Sequence, residues 1–364
     1  MKPKDIVGLL KETVQEWQED KAAKLAAALA YYTAFSVAPL LIIAIAIVAL
    51  VFGEEAAQGQ IAKQLQGQVG SQAAEAIQTM IQNSQKPNEG TIATIISFII
   101  LAFGASGVFS ELQDSLNTIW EVAPKPGQGI KAVVKNRFLS FAMVLGIGFL
   151  LLVSLILSTV LTGVGNYLGN SIPHLVLLWQ ILNFVISFAV ITALFAMIYR
   201  LLPDVKIAWS DVWLGAAITS LLFAIGRWAI GLYLANSSVG STYGAAGSFV
   251  VFLLWVNYSA QILFFGAEFT QVYANKYGSQ IVPNKNAIAL TDEARAQQGI
   301  PHASQLQEAA DAQDEKENQR SGVSTLPRQQ RNQRKSVHPV FIFVSLLGGV
   351  YRQVTRLGGK NKRR

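Results

Sequence analysis

The amino-acid sequence predicts an all-α polytopic membrane protein: a six-helix transmembrane bundle with amphipathic surface helices and a disordered polar C-terminal tail. Three observations carry that prediction. The 364 residues are 52% hydrophobic and only 14% charged, against about a quarter charged in ordinary soluble domains. Six apolar stretches reach the roughly 20 residues that a helix needs to cross the hydrocarbon core of a bilayer. Phe138 to Tyr199 run without a single Asp, Glu, Lys or Arg, which a water-facing surface does not tolerate over such a length.

Taken in order, residues 1–24 place Ile6, Leu10, Val14 and Trp17 on one helical face, with Asp5, Glu12, Glu16 and Glu19 elsewhere. That pattern reads as an amphipathic helix on the cytoplasmic membrane surface. It lacks the apolar core of a signal peptide, so the first span is expected to act as its own insertion signal. The membrane domain is expected over residues 25–275. Its first span, residues 25–53, carries no charge and as a helix is roughly 43 Å long, against about 30 Å of hydrocarbon. Pro39 inside it predicts a kink. An outer loop, residues 54–90, spaces Ile61, Leu65, Val69, Ile77 and Ile81 at multiples of four, predicting one or two short helices over the outer mouth of the bundle.

The second span is expected near 91–109. The charge-free stretch is too long for one helix and divides at Gly163–His174, where Gly, Asn and Pro173 cluster, into spans near 138–162 and 177–201. The fifth, near 207–234, carries Arg227 within it. The sixth, near 245–270, follows a turn rich in small residues, NSSVGSTYGAAGS.

Charge sets orientation, because cytoplasmic loops hold the excess of Lys and Arg. Lys2, Lys4, Lys11, Lys21 and Lys24 precede the first span; Lys125, Lys131, Lys135 and Arg137 separate the second from the third; Arg200 and Lys206 separate the fourth from the fifth. The alternate loops hold only Lys63 and Lys86. Every parity agrees, so both termini are expected in the cytoplasm. The chain carries a net charge of +7 and no cysteine, which excludes disulfides and thiolate metal sites. The tail, residues 276–337, is polar and reads as disordered. Residues 338–364 hold about ten consecutive apolar residues, too few to span. Arg352, Arg356, Lys360, Lys362, Arg363 and Arg364 follow. This end reads as a basic amphipathic membrane-surface segment whose partner is anionic lipid, with an unstructured tail as the other reading. No specific nucleic acid is expected as a partner.

Several runs together resemble one family: LAAALAYYTAFSVAPLL in the first span, LQDSLNTIW after the second, YRLLPDVKIAWSDVWLGA leading into the fifth, and LYLANSSVGSTYGAAGSFVVFLLWVNYSAQILFFGAEFT across the last turn and span. The chain is similar to BrkB/YihY-type bacterial inner-membrane proteins over about residues 5–280. The resemblance implies a six-helix fold in the bacterial cytoplasmic membrane, a poorly defined activity and, in one branch, a link to virulence or serum resistance. Members have also carried a ribonuclease label. Metal-dependent nucleases need clustered His and Asp ligands, and the three histidines here, His174, His302 and His338, show no metal-ligand spacing. No nucleophile elbow, phosphate-cradling loop or HExxH motif occurs either. The chain is therefore expected to be no enzyme, a lipid-modifying activity through scattered carboxylates being the one reading left open, with no cofactor and no metal.

Ionisable and polar residues within spans are site hypotheses by default. Arg227 lies about 30 Å along the fifth span, near the outer interface; it either snorkels to lipid phosphate or lines an outward cavity for an anionic group. Asn257, Gln261 and Glu268 share one face of the sixth span, and Thr219, Ser220 and Arg227 one face of the fifth. Ser154, Ser158, Thr162 and Asn166 form a ladder on the third. Such stripes either line a hydrated pathway or act as hydrogen-bond glue between helices. Glu111, Asp114, Lys21, Lys24, Arg137 and Arg200 are expected in a cytoplasmic charge layer level with Glu268. Pro39, Gly244 and Gly247 are candidate hinges or close-packing positions, as are Gly104 and Gly107. The leading functional expectation is a transporter-like or lipid-handling protein that moves or accommodates an amphipathic or anionic solute. The alternative is a non-transporting envelope scaffold acting through its tail and surface helices. Membrane lipids are expected partners; solute and oligomeric state leave no sequence signal.

Overall fold

A computed structural model describes residues 3–53, 70–84, 107–125, 176–236 and 246–321, with isolated positions at 58–59, 61–62, 66 and 104. The third span, most of the second, Arg137, Gly244, the Ser154–Asn166 ladder and the basic segment 338–364 lie outside the described residues. Among the described residues, four helices are long and apolar enough to cross a membrane: Ala22–Ile45, Phe184–Leu201, Trp209–Tyr233 and Gly247–Tyr277. They fall where the first, fourth, fifth and sixth spans were expected.

Helix α1 (Pro3–Glu19) precedes α2 (Ala22–Phe52), and Lys21, at a left-handed φ of 54°, separates them. Then come α3 (Ser71–Ser84), α4 (residues 107–119) and β1 (Val122–Pro124). Next are α5 (Val176–Leu201), β2 (Val205–Lys206), α6 (Trp209–Asn236) and α7 (Gly247–Tyr277). The chain continues through β3 (Val282–Pro283), β4 (Ala287–Ala289), α8 (Asp292–Gln297) and α9 (Ala303–Ser321). Residues 304–364 form a separate unit, of which α9 is a polar helix.

Helix α7 is the axis of the first unit. It packs against α1, α2, α3 and α6, while α6 also packs against α5. The small face expected on the first span is buried: Ala22 and Ala26 are fully covered and Ala30 nearly so. Helix α3 lays Ala73, Ala76 and Ile77 against Ala30 of α2 and Val251, Phe252 and Val256 of α7. The outward sides of the long helices carry Tyr31, Phe35, Phe184, Leu221, Ile225 and Trp228 exposed, the lipid-facing surface that a bundle in a bilayer presents. Helix α2 runs through Pro39 without interruption. Gly104 and Gly107 sit close to it: Ser36 Oγ donates to the Gly104 carbonyl at 2.6 Å, and a Cβ on Gly104 would touch Pro39.

The disorder expected from residue 276 does not begin there. β4 pairs antiparallel with β1, matching Ala123 to Ile288, and β3 pairs with β2, matching Val205 to Pro283. Lys125, Asn284 and Leu290 extend these pairs by donating their N–H groups to the Asn286, Asp204 and Glu121 carbonyls at 2.8–2.9 Å. The composition reading failed because it weighed polarity and missed the short β-branched stretches, Ile281–Val282 and Ile288, that complete edges left open in the two earlier loops.

The seam between α6 and α7 depends on glycine. A Cβ on Gly266 would stand 1.8 Å from Thr219 Oγ1 and 2.6 Å from Tyr199 Oη; one on Gly215 would stand 1.7 Å from Thr270 Oγ1. This is small-residue packing of the kind that lets membrane helices approach closely. Gly266→Ala and Gly215→Ala are each expected to lower stability by about 1–3 kcal/mol through overpacking. Gly231→Ala, where an added Cβ meets nothing within 4 Å, is expected to stay within about 0.5 kcal/mol of the parent. Unfolding of the detergent-solubilised protein measures all three.

Candidate functional site

The chemistry gathers at the end of the bundle where α1 meets α2. Helix α1 closes with Glu16, Glu19 and Asp20 and has no basic residue in its last turn. Carboxylates at a helix C-terminus oppose the helix dipole, typically by 0.3–1 kcal/mol each, so the fold must bring cations from elsewhere. The first is Arg295. Thr291 caps α8, its Oγ1 accepting from the Ala294 N–H at 3.3 Å, and this places Arg295 where only 1% of its side chain is exposed. Its Nη2 donates to Asp20 Oδ1 at 2.6 Å. Nη1 lies 3.1 Å from Glu121 Oε1, close enough for an ion pair but off the line of a directed hydrogen bond.

His302 joins the cluster from the segment after α8. Its Nδ1 is 3.2 Å from Glu19 Oε2, and its Nε2 lies 3.7 Å from Glu121 Oε1 and 3.6 Å from Asp292 Oδ1. Glu121 itself stands at φ 54°, a left-handed conformation that costs roughly 1–2 kcal/mol for a residue bearing a side chain. Lys21 donates to the Gly299 carbonyl and fastens the same segment from the other side. Glu16, Glu121 and His302 each offer a ligand atom within 4.8 Å of the others.

Beside this cluster a cleft of about 410 Å³ is lined by Glu12, Glu16, Glu121, Gln271, Val272, Asn275 and Lys276. Lys276 pairs with Glu12 at the surface. One helical turn below Gln271 and Val272 on α7 lies Glu268, fully buried, with neither carboxylate oxygen hydrogen-bonded among the described residues. The charges that act on it are those of Asp20, Glu16, Arg295 and Glu121. Burial, then Glu19, Asp20 and Glu121, push the Glu16 carboxyl up to about 7. Burial pushes Asp20 up to about 6 against the pull of Arg295. Burial works against the Arg295 charge as well, but Asp20, Glu121 and Glu16 outweigh it and hold the guanidinium protonated. The cluster holds more negative charge than its own cations neutralise.

The residues expected to line one pathway are not brought together. Thr219 and Ser220 are buried but donate back to the Gly215 and Ala216 carbonyls, each at 2.8 Å, and Thr219 also meets Tyr199 in the packing seam. Arg227 is exposed on the outer side of α6. Asn257 and Gln261 are half-buried and bonded to each other, Gln261 Nε2 donating at 2.7 Å. Gly247 is buried at the start of α7. In the expected charge layer, Lys24 and Asp114 are exposed, Glu111 is half-buried, and Arg200 lies 4.7 Å from the Trp209 ring centroid. Among the described residues, only Glu268 and Lys21 of those expected belong to the constellation the structure assembles. Asp20, Glu121, Arg295 and His302 went unread as a group because they come from three remote segments; the one legible signal was the capping sequence TDEAR that starts α8.

The runs that carried the family resemblance act elsewhere, as clamps. Asn117 and Gln113 both donate to Asp204 Oδ2, at 3.0 and 3.3 Å, and the Asp204 N–H returns a bond to Asn117 Oδ1 at 2.8 Å. Asp211 Oδ2 accepts from the N–H and the hydroxyl of Ser279, each at 2.8 Å. Tyr199 Oη donates to the Leu263 carbonyl at 2.7 Å.

Replacing Arg295 with Met is expected to cost about 3–5 kcal/mol, since it leaves Asp20 buried without its partner. The double variant Asp20→Asn with Arg295→Met is expected to recover part of that loss, and equilibrium unfolding of the single and double variants measures the coupling.

A family model described as virulence factor BrkB matches residues 13–291. Relatives described as UPF0761 membrane proteins include one from Halorhodospira halophila, 27% identical over 76% of this chain and 60% of that protein. Others are from Alcanivorax borkumensis, 26% identical over 70% and 58%, and from a Psychrobacter species, 24% identical over 75% and 50%. The chain thus spans between half and three-fifths of the length of these relatives. No solved structure matches. With a match over most of its length and helices apolar enough to span a bilayer, the chain belongs to the BrkB family of membrane proteins.

Proposed function

We propose that the protein is a transporter-like membrane protein that handles cations or solutes with a cationic group, and that Glu268 carries the exchangeable charge. The observation behind this reading is the burial of the Glu268 carboxylate with neither oxygen hydrogen-bonded, one turn below an acidic cleft. An ionised carboxylate in that setting costs many kcal/mol unless a counter-charge or a proton joins it. Ionisable groups of this kind in membrane helices mark ion and proton relays. The sign of the cleft favours a cationic solute over the anionic one that Arg227 suggested, because Arg227 sits on the opposite kind of surface, exposed on α6.

The same proposal keeps six spans in the bacterial inner membrane, with both termini cytoplasmic, on the strength of the Lys and Arg asymmetry between loops. No enzymatic activity is assigned. Lipid is the proposed partner of the outward face of α1, where Ile6, Val7 and Leu10 are exposed, and anionic lipid of the basic residues 338–364.

Proteoliposomes loaded with a pH-sensitive dye and challenged in turn with monovalent, divalent and organic cations test the reading. A cation-dependent proton flux is expected that Glu268→Gln lowers at least tenfold, while Arg227→Ala and removal of residues 304–364 leave it within twofold. Equal flux from the parent, the Glu268→Gln variant and empty vesicles would sink the proposal.

A further inference from the structure

We propose that Glu16, Glu121 and His302 bind a divalent cation of the zinc or manganese class, which ties α1, the turn after α4 and the segment after α8 together. The inference goes beyond the transport reading and stands without it. Its first support is the donor set: two carboxylate oxygens and one imidazole nitrogen within 4.8 Å of one another. In the tetrahedral arrangement zinc takes, ligands bound at about 2.1 Å stand about 3.4 Å apart, so the side chains would close by up to about 1.4 Å, within the reach of a rotamer adjustment of two glutamates. All three are half-buried rather than loose on the surface.

The orientation of the imidazole is the second support. Glu19 Oε2 lies 3.2 Å from His302 Nδ1. That contact sets the tautomer with the proton on Nδ1 and leaves the Nε2 lone pair directed toward Glu121, 3.7 Å away. A carboxylate holding the far nitrogen of a metal-binding histidine is the usual outer-shell arrangement, and it raises the basicity of the ligating nitrogen.

Glu268 supplies the third and independent support. It is fully buried with both oxygens unpartnered, and among the charges that act on it are those of Glu16 and Glu121. Arg295 is already engaged by Asp20, so a cation on Glu16 and Glu121 would add positive charge to a cluster whose field acts on Glu268. The site then neutralises two of the cluster's carboxylates and leaves Glu268 as the one that exchanges. One nitrogen with two oxygens suits zinc or manganese. Calcium, which takes six to eight oxygen ligands, is poorly matched.

The full-length chain, purified in detergent and stripped with a chelator, is to be titrated with zinc chloride and manganese chloride by calorimetry, with bound metal measured after equilibrium dialysis. One equivalent is expected, with a tenfold or greater loss of affinity in Glu16→Gln and in His302→Gln. His338→Gln is expected to bind as the parent does, and calcium not to compete. Saturating metal is expected to raise the Tm by at least about 5 °C in the parent and not in His302→Gln. Variant folding is checked by helical circular dichroism and a monodisperse elution profile. No saturable binding by the parent, or unchanged binding in folded His302→Gln and Glu16→Gln, would overturn the site. Because metal content is read without any flux measurement, failure here is separable from failure of the transport reading.

Discussion

The ion pair between Asp20 and Arg295 is the constraint around which this end of the molecule is built. The two groups lie 275 residues apart in sequence and 2.6 Å apart in space, each with 1% of its side chain exposed. A buried pair of this kind is not a strong net stabiliser, since desolvating two charges offsets most of their attraction. Its effect is to make alternatives costly. Any arrangement that leaves Arg295 undelivered strands Asp20 at the C-terminus of α1, beside Glu16 and Glu19 and against the helix dipole. The two small antiparallel pairs and the capped helix α8 form the path that delivers the guanidinium. They run from the end of α7, past the loops after α5 and α4, to the α1–α2 junction.

Helix α7 joins that junction to the rest of the bundle through two kinds of surface on one rod. Its middle is a dry seam in which Gly266 admits Thr219 and Tyr199 of the neighbouring helices. From Glu268 onward, Gln271 and Asn275 continue a polar stripe that opens into the cleft. The change occurs within two residues, because positions 266 and 268 point about 200° apart on a helix. Packing and charge therefore share the same turn of α7, and an error in the seam displaces the buried carboxylate directly.

Much of the fold was legible because bilayer thickness and helix rise leave few solutions: charge-free runs of the right length mark the first, fourth, fifth and sixth spans, and α2 begins three residues before the expected Leu25. Amphipathicity also placed α1, but of the face Ile6, Leu10, Val14 and Trp17 the first two turn outward, Val14 is half-buried and Trp17 packs against the core. The face that packs on α7 carries Leu9 and Thr13 together with the acidic residues. Periodicity finds an apolar stripe without saying what it touches. The candidate pathway failed to assemble for a related reason. Sharing a face with Thr219 on an ideal helix does not fix what that face meets two turns on: Gly226 still packs against Tyr258 and Ile262 of α7, while Arg227 is exposed. Spacing likewise hid His302, since spacing detects ligands close in sequence, and its partners stand at positions 16, 19 and 121.

The sign of the charge decides what this end of the protein can admit. Glu12 is matched by Lys276, while Asp20 and Glu121 share Arg295; Glu19 has the His302 imidazole at 3.2 Å, and Glu16 and Glu268 form no ion pair among the described residues. Two carboxylates about 4 Å apart repel by about 4 kcal/mol at an effective dielectric constant near 20, so an anionic headgroup entering the cleft would meet several such terms at once. A cation is attracted by the same terms that exclude the anion. It gains most at the level of Glu16 and Glu121, which line the cleft together, so the repulsion among these carboxylates is what draws the cation in.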